Sequence, residues 1–471
     1  MFPSLPPLYV DEAKLIALGD AMKEAAGDPP ADNGIPAGYT FLGQFIDHDV
    51  TYDPTSLSES RVDPLALTNY RTPSLALDNL YGRGPDIDPH YYMLRLPGSF
   101  DQPAYFQTGN TVKVQQGHHP DSMPFDLQRA EQSRMAVIPD PRNDENLIVA
   151  QLHVAMQLFH NAVADQLSAR KIAPASAMSA PPRGDEVFHA VREIVLLYYH
   201  GIVLEEFLPQ ILDAGVLGKV LAQGSLLYRG PGEPYLPVEF SAAAYRFGHG
   251  TIRDNYEYNS VFSTGGTTGQ PASLDVLFRE AAGSRGPIDL PLLVSDWIID
   301  WRRFIPGLGD PALLNLSRNI GPTIATALGN LPGMPNPANL ATRNLMRGNS
   351  MRLPSGQSVA NYFGYQPLSP EEIGRGRDGA VATPMGLDRE TPLWYYILKE
   401  AEQRCAGRNL GEVGSRIIAE VFVGLLERDS ASLIQRKSTL SHTLAGKAPG
   451  EFRMADLLQF AGFVNPLDGP V

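Results

Sequence analysis

Apolar positions recur along this chain mostly with the period of an α-helix and seldom with the alternation of a strand. The pattern predicts helices over Asp11–Ala26, Tyr39–Asp49, Asp144–Ala169, Glu186–Leu212, Ser241–Arg253, Pro291–Phe304, Pro337–Arg347, Thr391–Gln403, Leu410–Arg428 and Met454–Phe463. Asp11 and Gly27 bracket the first as start and stop signals. Acidic residues open the third, where the helix dipole favours them. Strand-like alternation is confined to Tyr91–Leu96 and Thr111–Gln115. Pro/Gly-rich connectors fill 54–124, 173–184, 223–238, 263–288, 305–337 and 352–390. No internal repeat is present, and no connector divides the helices into self-sufficient groups. The expectation is a mainly α fold: one large helical domain over 1–471, with long irregular loops and little β.

The most apolar runs, Ile194–Leu204 and Ile417–Leu426, carry His200 and Glu420. They fall short of the ~20 residues that cross a bilayer. The first residues lack the basic and apolar regions of a secretory signal. A soluble protein is expected, cytoplasmic or exported without a classical leader.

Composition narrows the function. Lys plus Arg number 38 against 52 Asp plus Glu, a formal charge of −14 without a polybasic block, so no nucleic-acid footprint is expected. Cys405 is the single cysteine, which excludes an intrachain disulfide and any thiolate metal cluster. The 471 residues alone would suggest about three domains, at roughly 150 each.

Four clusters carry candidate chemistry. In Gly43–Asp49, helical spacing puts Gln44, Asp47 and His48 on one face, while Asp49 points about 100° away. In Asp140–Asn146, Arg142 and Glu145 are three apart; capping explains the acids but not a cation at a helix start. Arg246 and His249 share a face within Tyr245–Gly250, and Asn344 and Arg347 form a similar pair. His153 and His160, seven apart and without nearby carboxylates, read as core or interface histidines. His118–His119, Gly265–Gly266 and Cys405 read as ordinary loop or packing features.

Taken in order, these clusters resemble the animal-type haem peroxidases of the peroxidase–cyclooxygenase superfamily, particularly compact bacterial members. The motifs are Gln-x-x-Asp-His-Asp, Pro-Arg-Asn-Asp-Glu-Asn, Tyr-Arg-Phe-Gly-His and Arg-Asn-Leu-x-Arg-Gly, spanning about Gly38 to Gly364. The resemblance implies haem b as cofactor. H2O2 would be reduced through a ferryl haem, and a halide or small organic donor oxidised. It implies catalytic roles for His48 as distal base, Arg142 as charge stabiliser and Gln44 as a polar neighbour. His249 would be the iron's axial ligand, with Asn344 accepting its other N–H. Arg246 and Arg347 would meet the haem propionates. Asp47 and Glu145 match carboxylates that form ester links to haem. Asn146 stands where one family member has a sulfonium-forming methionine, so no such link is implied. A calcium site is implied by Asp49, Thr72, Ser74 and Asp78, with Ala76 in the place of a usual acidic ligand, a departure that weakens a cation wanting about six to eight oxygens.

Two other readings remain. A haem-dependent fatty-acid dioxygenase on the same scaffold would place a tyrosine three residues before the proximal histidine; here that residue is Arg246, and Tyr245 lies four before, which on a helix turns its side chain about 100° away from the haem edge. A non-catalytic haem-binding protein would have no need of Arg142.

Overall fold

The structure, a computed structural model, describes residues 1–25, 32–52, 73–93, 105–112, 118–119, 121–131, 133–172, 175, 185–228, 234–281, 293–331, 337–436 and 442–468. The fold is mainly α with little strand. The helices that build the core are α1 (Glu12–Ala21), α2 (Gly38–Val50), α3 (Leu147–Ser168), α4 (Asp185–Ile202), α5 (Leu340–Ser350), α6 (Leu393–Cys405) and α7 (Glu412–Arg428). Helix α3 packs on both α2 and α4, and α1 packs on α5. Gly19 permits the second contact, because a Cβ there would collide with Thr342.

The sequence periodicity locates these helices to within a few residues. Its errors cluster where polar contacts displace regular hydrogen bonding. The third helix begins at Leu147 rather than Asp144, because Asn146 caps it by accepting from Val149 N–H at 3.0 Å. Residues Pro141–Asp144 instead form a 3₁₀ turn capped by Asp140. The region 241–253 is no α-helix: Val238–Ser241 forms one turn, and Ala244–Thr251 is 3₁₀. A 3₁₀ segment eclipses residues three apart, so Arg246 and His249 still share a face. Only short 3₁₀ turns, Ser295–Trp297 and Trp301–Arg303, occupy the described part of 291–304. Conversely, helices Ala214–Gln223, Gly356–Phe363 and Gly376–Ala382 lie beside or within stretches read as connectors.

Strands are short antiparallel pairs: Asp32–Pro36 with Leu316–Arg318, Thr108–Gly109 with Asp126–Leu127, and Asn255–Tyr256 with Ala272–Ser273. Of the expected strands, Tyr92 bridges Phe106 and Val112 bridges Val294. Residues 94–96 and 113–115 lie outside the described residues.

Two helical stretches, Leu147–Ser168 and Glu186–Ile211, are long and apolar enough to cross a membrane, against the sequence expectation that no run would suffice. Their most apolar windows are 83% and 78% buried within the fold, as core helices are. The second contains a π-turn at Val203–Phe207. There Glu206 accepts from Tyr39 Oη at 2.5 Å and from Met454 N–H at 2.8 Å, tying α2 to the C-terminal region.

Candidate active site

A cavity of about 620 Å³ opens beside α2. That volume lies within the range of roughly 300–1,000 Å³ typical of small-molecule and cofactor sites. Its wall includes Gln44, Asp47, His48, Arg142, Glu145, Arg246, His249 and Arg343, so all four motifs reach it. Asn344 of the fourth contributes from behind, in contact with His249.

The face of α2 spaced 40, 44, 47 and 48 is turned to the cavity, with Phe41 beside it, while Leu42, Phe45 and Ile46 pack away from it. His48 is 4% exposed. Its Nδ1 lies 2.8 Å from Asn143 Oδ1. Burial, reinforced by the nearby Arg142 cation, lowers its pKa to about 4, which keeps the imidazole neutral near pH 7. Gln44 Oε1 accepts from Asn146 Nδ2 at 3.0 Å.

Arg142 has a reason to stand at the start of a helical segment. Asp140, fully buried, accepts from its Nε at 3.0 Å and from Nη2 at 2.7 Å. The guanidinium also donates to the carbonyl oxygens of Thr51 and His48 and lies over the Tyr52 ring. The turn that carries it is anchored from beneath. Arg129 donates to Asp144 Oδ2 at 2.6 Å and Oδ1 at 2.9 Å, and also pairs with Asp126, all three buried. Asp144 therefore serves this buried network rather than the helix dipole. Glu145 is exposed to the cavity, and desolvation by the surrounding protein pushes its carboxyl up to about 7.

On the His249 wall, Asn344 Nδ2 lies 2.8 Å from His249 Nδ1, and Asn344 Oδ1 accepts from Arg246 Nη1 at 3.0 Å. As placed, the Asn344 amide nitrogen faces the ring and its oxygen faces Arg246; iron ligation through His249 Nε2 requires the amide turned over, so that Asn344 accepts the Nδ1–H as the sequence expectation has it. Burial lowers the His249 pKa to about 3, with Arg246 adding to the effect, so this ring too is neutral. Gly248 leaves open space beside its backbone. Arg347 is buried on α5 and is absent from the cavity wall, whereas Arg343, one turn earlier, lines it. Tyr245 also lines the cavity, contrary to the sequence argument that it would turn away; its hydroxyl is buried and has no hydrogen-bond partner among the described residues.

The residues fit a haem. The cavity brings two neutral imidazoles, two carboxylates and the cations Arg246 and Arg343 to a largely apolar space. The calcium set fares differently. Asp49 is buried and accepts from Asp78 N–H at 2.9 Å and from Tyr199 Oη at 3.2 Å. Arg192 donates to the Ala76 carbonyl at 3.2 Å and faces the Asp78 carboxylate at 3.7 Å. Ser74 is half-buried, and Thr72 lies outside the described residues. Among the described residues no three His, Cys, Asp or Glu side chains converge as a metal site.

Several contributors were not singled out from the sequence: Asp140, Asn143, Asn146 and His153 as partners, and Arg129 and Arg343 as cations. Asn143 and Asn146 sat inside a quoted motif, and a helix start needs only one Asn cap, so the second amide was the available signal. His160, by contrast, is the satisfied core histidine expected, bonded to Tyr81 Oη at 3.0 Å. Cys405 is half-buried, and burial pushes its thiol up to about 11, which fits an unreactive residue.

The chain belongs to the animal haem peroxidase family, whose pattern it matches over residues 105–369. That interval holds Arg142, Glu145, His249 and Asn344; the His48 segment precedes it. Membership of the family implies haem as the cofactor. Among known proteins, it is 26% identical to peroxidase mlt-7 of Caenorhabditis elegans over 161 residues, 32% of this chain and 20% of that protein. Its fold resembles peroxidase A from Dictyostelium discoideum, with TM-score 0.62 and 17% identity, covering 98% of this chain and 94% of that one. It also resembles the fatty acid alpha-dioxygenase of Arabidopsis thaliana, with TM-score 0.59 and 14% identity, covering 98% and 76%.

Proposed function

We propose that this protein is a peroxidase, reducing H2O2 with two electrons from a halide or a small organic donor. The observation that carries the reading is the joint presence of His48, Arg142 and Gln44 in the cavity wall that also contains His249. His249 would hold the iron, Arg246 and Arg343 suit the propionates, and Asp47 and Glu145 are candidates for ester attachment. Protonation of Glu145 up to about pH 7 fits such a carboxyl, since desolvation disfavours its charged form. When bound, haem supplies the metal at which the peroxide O–O bond breaks and stores the two oxidising equivalents.

The chain's own side chains handle protons and charge. Neutral His48 takes a proton from H2O2 at Nε2 and returns it to the departing oxygen, which leaves as water. Arg142, held by Asp140, stabilises the negative charge that develops as the bond breaks. Gln44, fixed by Asn146, offers its amide to water or a halide. With an organic donor, two electrons and two protons complete the balance to a second water; a halide instead takes up the remaining oxygen with one proton and leaves as the hypohalous acid.

One observation favours a second reading. Tyr245 lines the cavity with a hydroxyl that has no partner among the described residues, and a buried phenol is what a haem-dependent fatty-acid dioxygenase would oxidise. The test is one purified sample. A Soret band that changes on adding H2O2, with turnover of a phenol or halide, supports the peroxidase. Oxygen uptake with a fatty acid, abolished by Tyr245→Phe, would replace it with the dioxygenase. Acid–acetone extraction reports whether the haem is ester-linked.

A further inference from the structure

We propose that Asn143 and His153 are positioning residues for the distal base, an inference that rests on reading His48 as that base. His48 Nδ1 lies 2.8 Å from Asn143 Oδ1, and Asn143 Nδ2 lies 3.0 Å from His153 Nδ1. Asn143 and His153 are fully buried, so the chain of contacts is shielded from water. An amide oxygen only accepts, so His48 must carry its hydrogen on Nδ1 and present a lone pair at Nε2. An amide nitrogen only donates, so His153 accepts at Nδ1 and carries its hydrogen on Nε2. That Nε2 is buried without a partner among the described residues.

The polarity of this chain decides what His48 offers the cavity. With the amide turned over, Asn143 would donate to His48 Nδ1, and His48 would present an N–H where a base is needed. Asn143 alone cannot choose between the two orientations; the ring on its far side can, by accepting rather than donating. Burial lowers the His153 pKa to about 3, so it stays neutral and able to accept at Nδ1, which a cation with two donors could not do. An apolar side chain would pack against Phe45 as well as this ring does, at 6.2 Å between centroids, without leaving a buried donor unpaired. The imidazole is therefore best explained by what its Nδ1 does. The residue that read as an ordinary core histidine thus orients the base from one side chain away.

The experiment uses the full chain with 15N-labelled histidine, in its diamagnetic ferrous–CO form, or haem-free if no haem is retained. The expected result is a His48 ring protonated at Nδ1. His153→Phe and Asn143→Ala should each give a mixture of tautomers and slow the reaction with H2O2 about 10-fold, as for lost partners of a ligating or catalytic histidine. Asn143→Asp should keep the Nδ1 proton, since a carboxylate accepts from it, and should make His153→Phe harmless. In a His48→Ala background none of these substitutions should slow the reaction further. A wild-type His48 protonated at Nε2 would overturn the proposal. So would equal slowing by His153→Phe with and without His48, which would mark general structural damage. If His48→Ala itself leaves the rate unchanged, the base reading falls and takes the positioning role with it, whatever the tautomer.

Discussion

The two imidazoles that line the cavity are supported on different terms. On the His48 wall, each polar group has its own partner: Asn143 for His48, Asn146 for Gln44 and Asp140 for Arg142. All three partners come from the short segment 140–146, and Arg129 pins that segment through Asp144. On the His249 wall, a single side chain, Asn344, serves both His249 and Arg246, from 95 and 98 residues downstream. The difference suits the two tasks. Proton transfer and charge stabilisation need side chains held to a fraction of an ångström, whereas an iron–nitrogen bond supplies its own directionality once formed.

The largest effect should come from the less braced wall. His249→Ala is expected to abolish haem retention, read as loss of the Soret band from purified protein; retained haem with an unchanged band would show that another residue binds the iron. On the other wall, Arg142→Ala should leave that band largely intact and slow the reaction with H2O2 by ~10²–10³-fold, the usual cost of losing one preorganised charge stabiliser. Stopped-flow mixing separates the two outcomes. Breaking the anchor instead of the site, Arg129→Leu leaves the buried Asp126 and Asp144 without their cation. It should cost about 3–5 kcal/mol in denaturant unfolding. Retained stability would mean that segment 140–146 is held by something else.

The pH dependence sharpens the comparison further. His48 acts in its unprotonated form, and its pKa is lowered to about 4, so protonation silences it only in strong acid. The rate of reaction with H2O2 should therefore stay level through the ordinary imidazole value near ~6.5 and fall only as pH approaches about 4. An inflection near neutrality that disappears in His48→Ala would mean that the base is solvated. The smallest effect is expected on the far side of α2. Because Arg192 already faces the Ala76 carbonyl and the Asp78 carboxylate, chelation with EGTA should not shift the thermal midpoint. A drop restored by calcium would reinstate the cation site.

Much of this was legible in the sequence because helices write themselves in periodicity. Gln44, Asp47 and His48 fall on one face of α2 as their spacing requires, and all three line the cavity. The pairing of Arg246 with His249 survived an error in helix type, because 3₁₀ and α geometry both bring residues three apart to one side. Arg343 and Arg347 could not be separated in this way. Both sit on α5, and only the packing against α1 and α6 decides which turns to the cavity. Tyr245 was misplaced for a related reason: its orientation depends on the 3₁₀ segment and on stacking with Phe240 at 4.9 Å, neither visible in a spacing of four.

The sequence by itself determined the mainly α character, the motifs and their order, because these depend on residue type and local spacing. Only the tertiary structure decided which polar groups face one another. Asn143 meets His48 across 95 positions and Asn344 meets His249 across another 95. A hydrogen bond needs a partner within about 3 Å at the right angle, and no one-dimensional pattern carries that distance. Arg142 illustrates the division. Its residue type marked it as a candidate, but its placement beside Asp140, over Tyr52 and against the carbonyl of His48 is what makes it a fixed charge at the cavity wall.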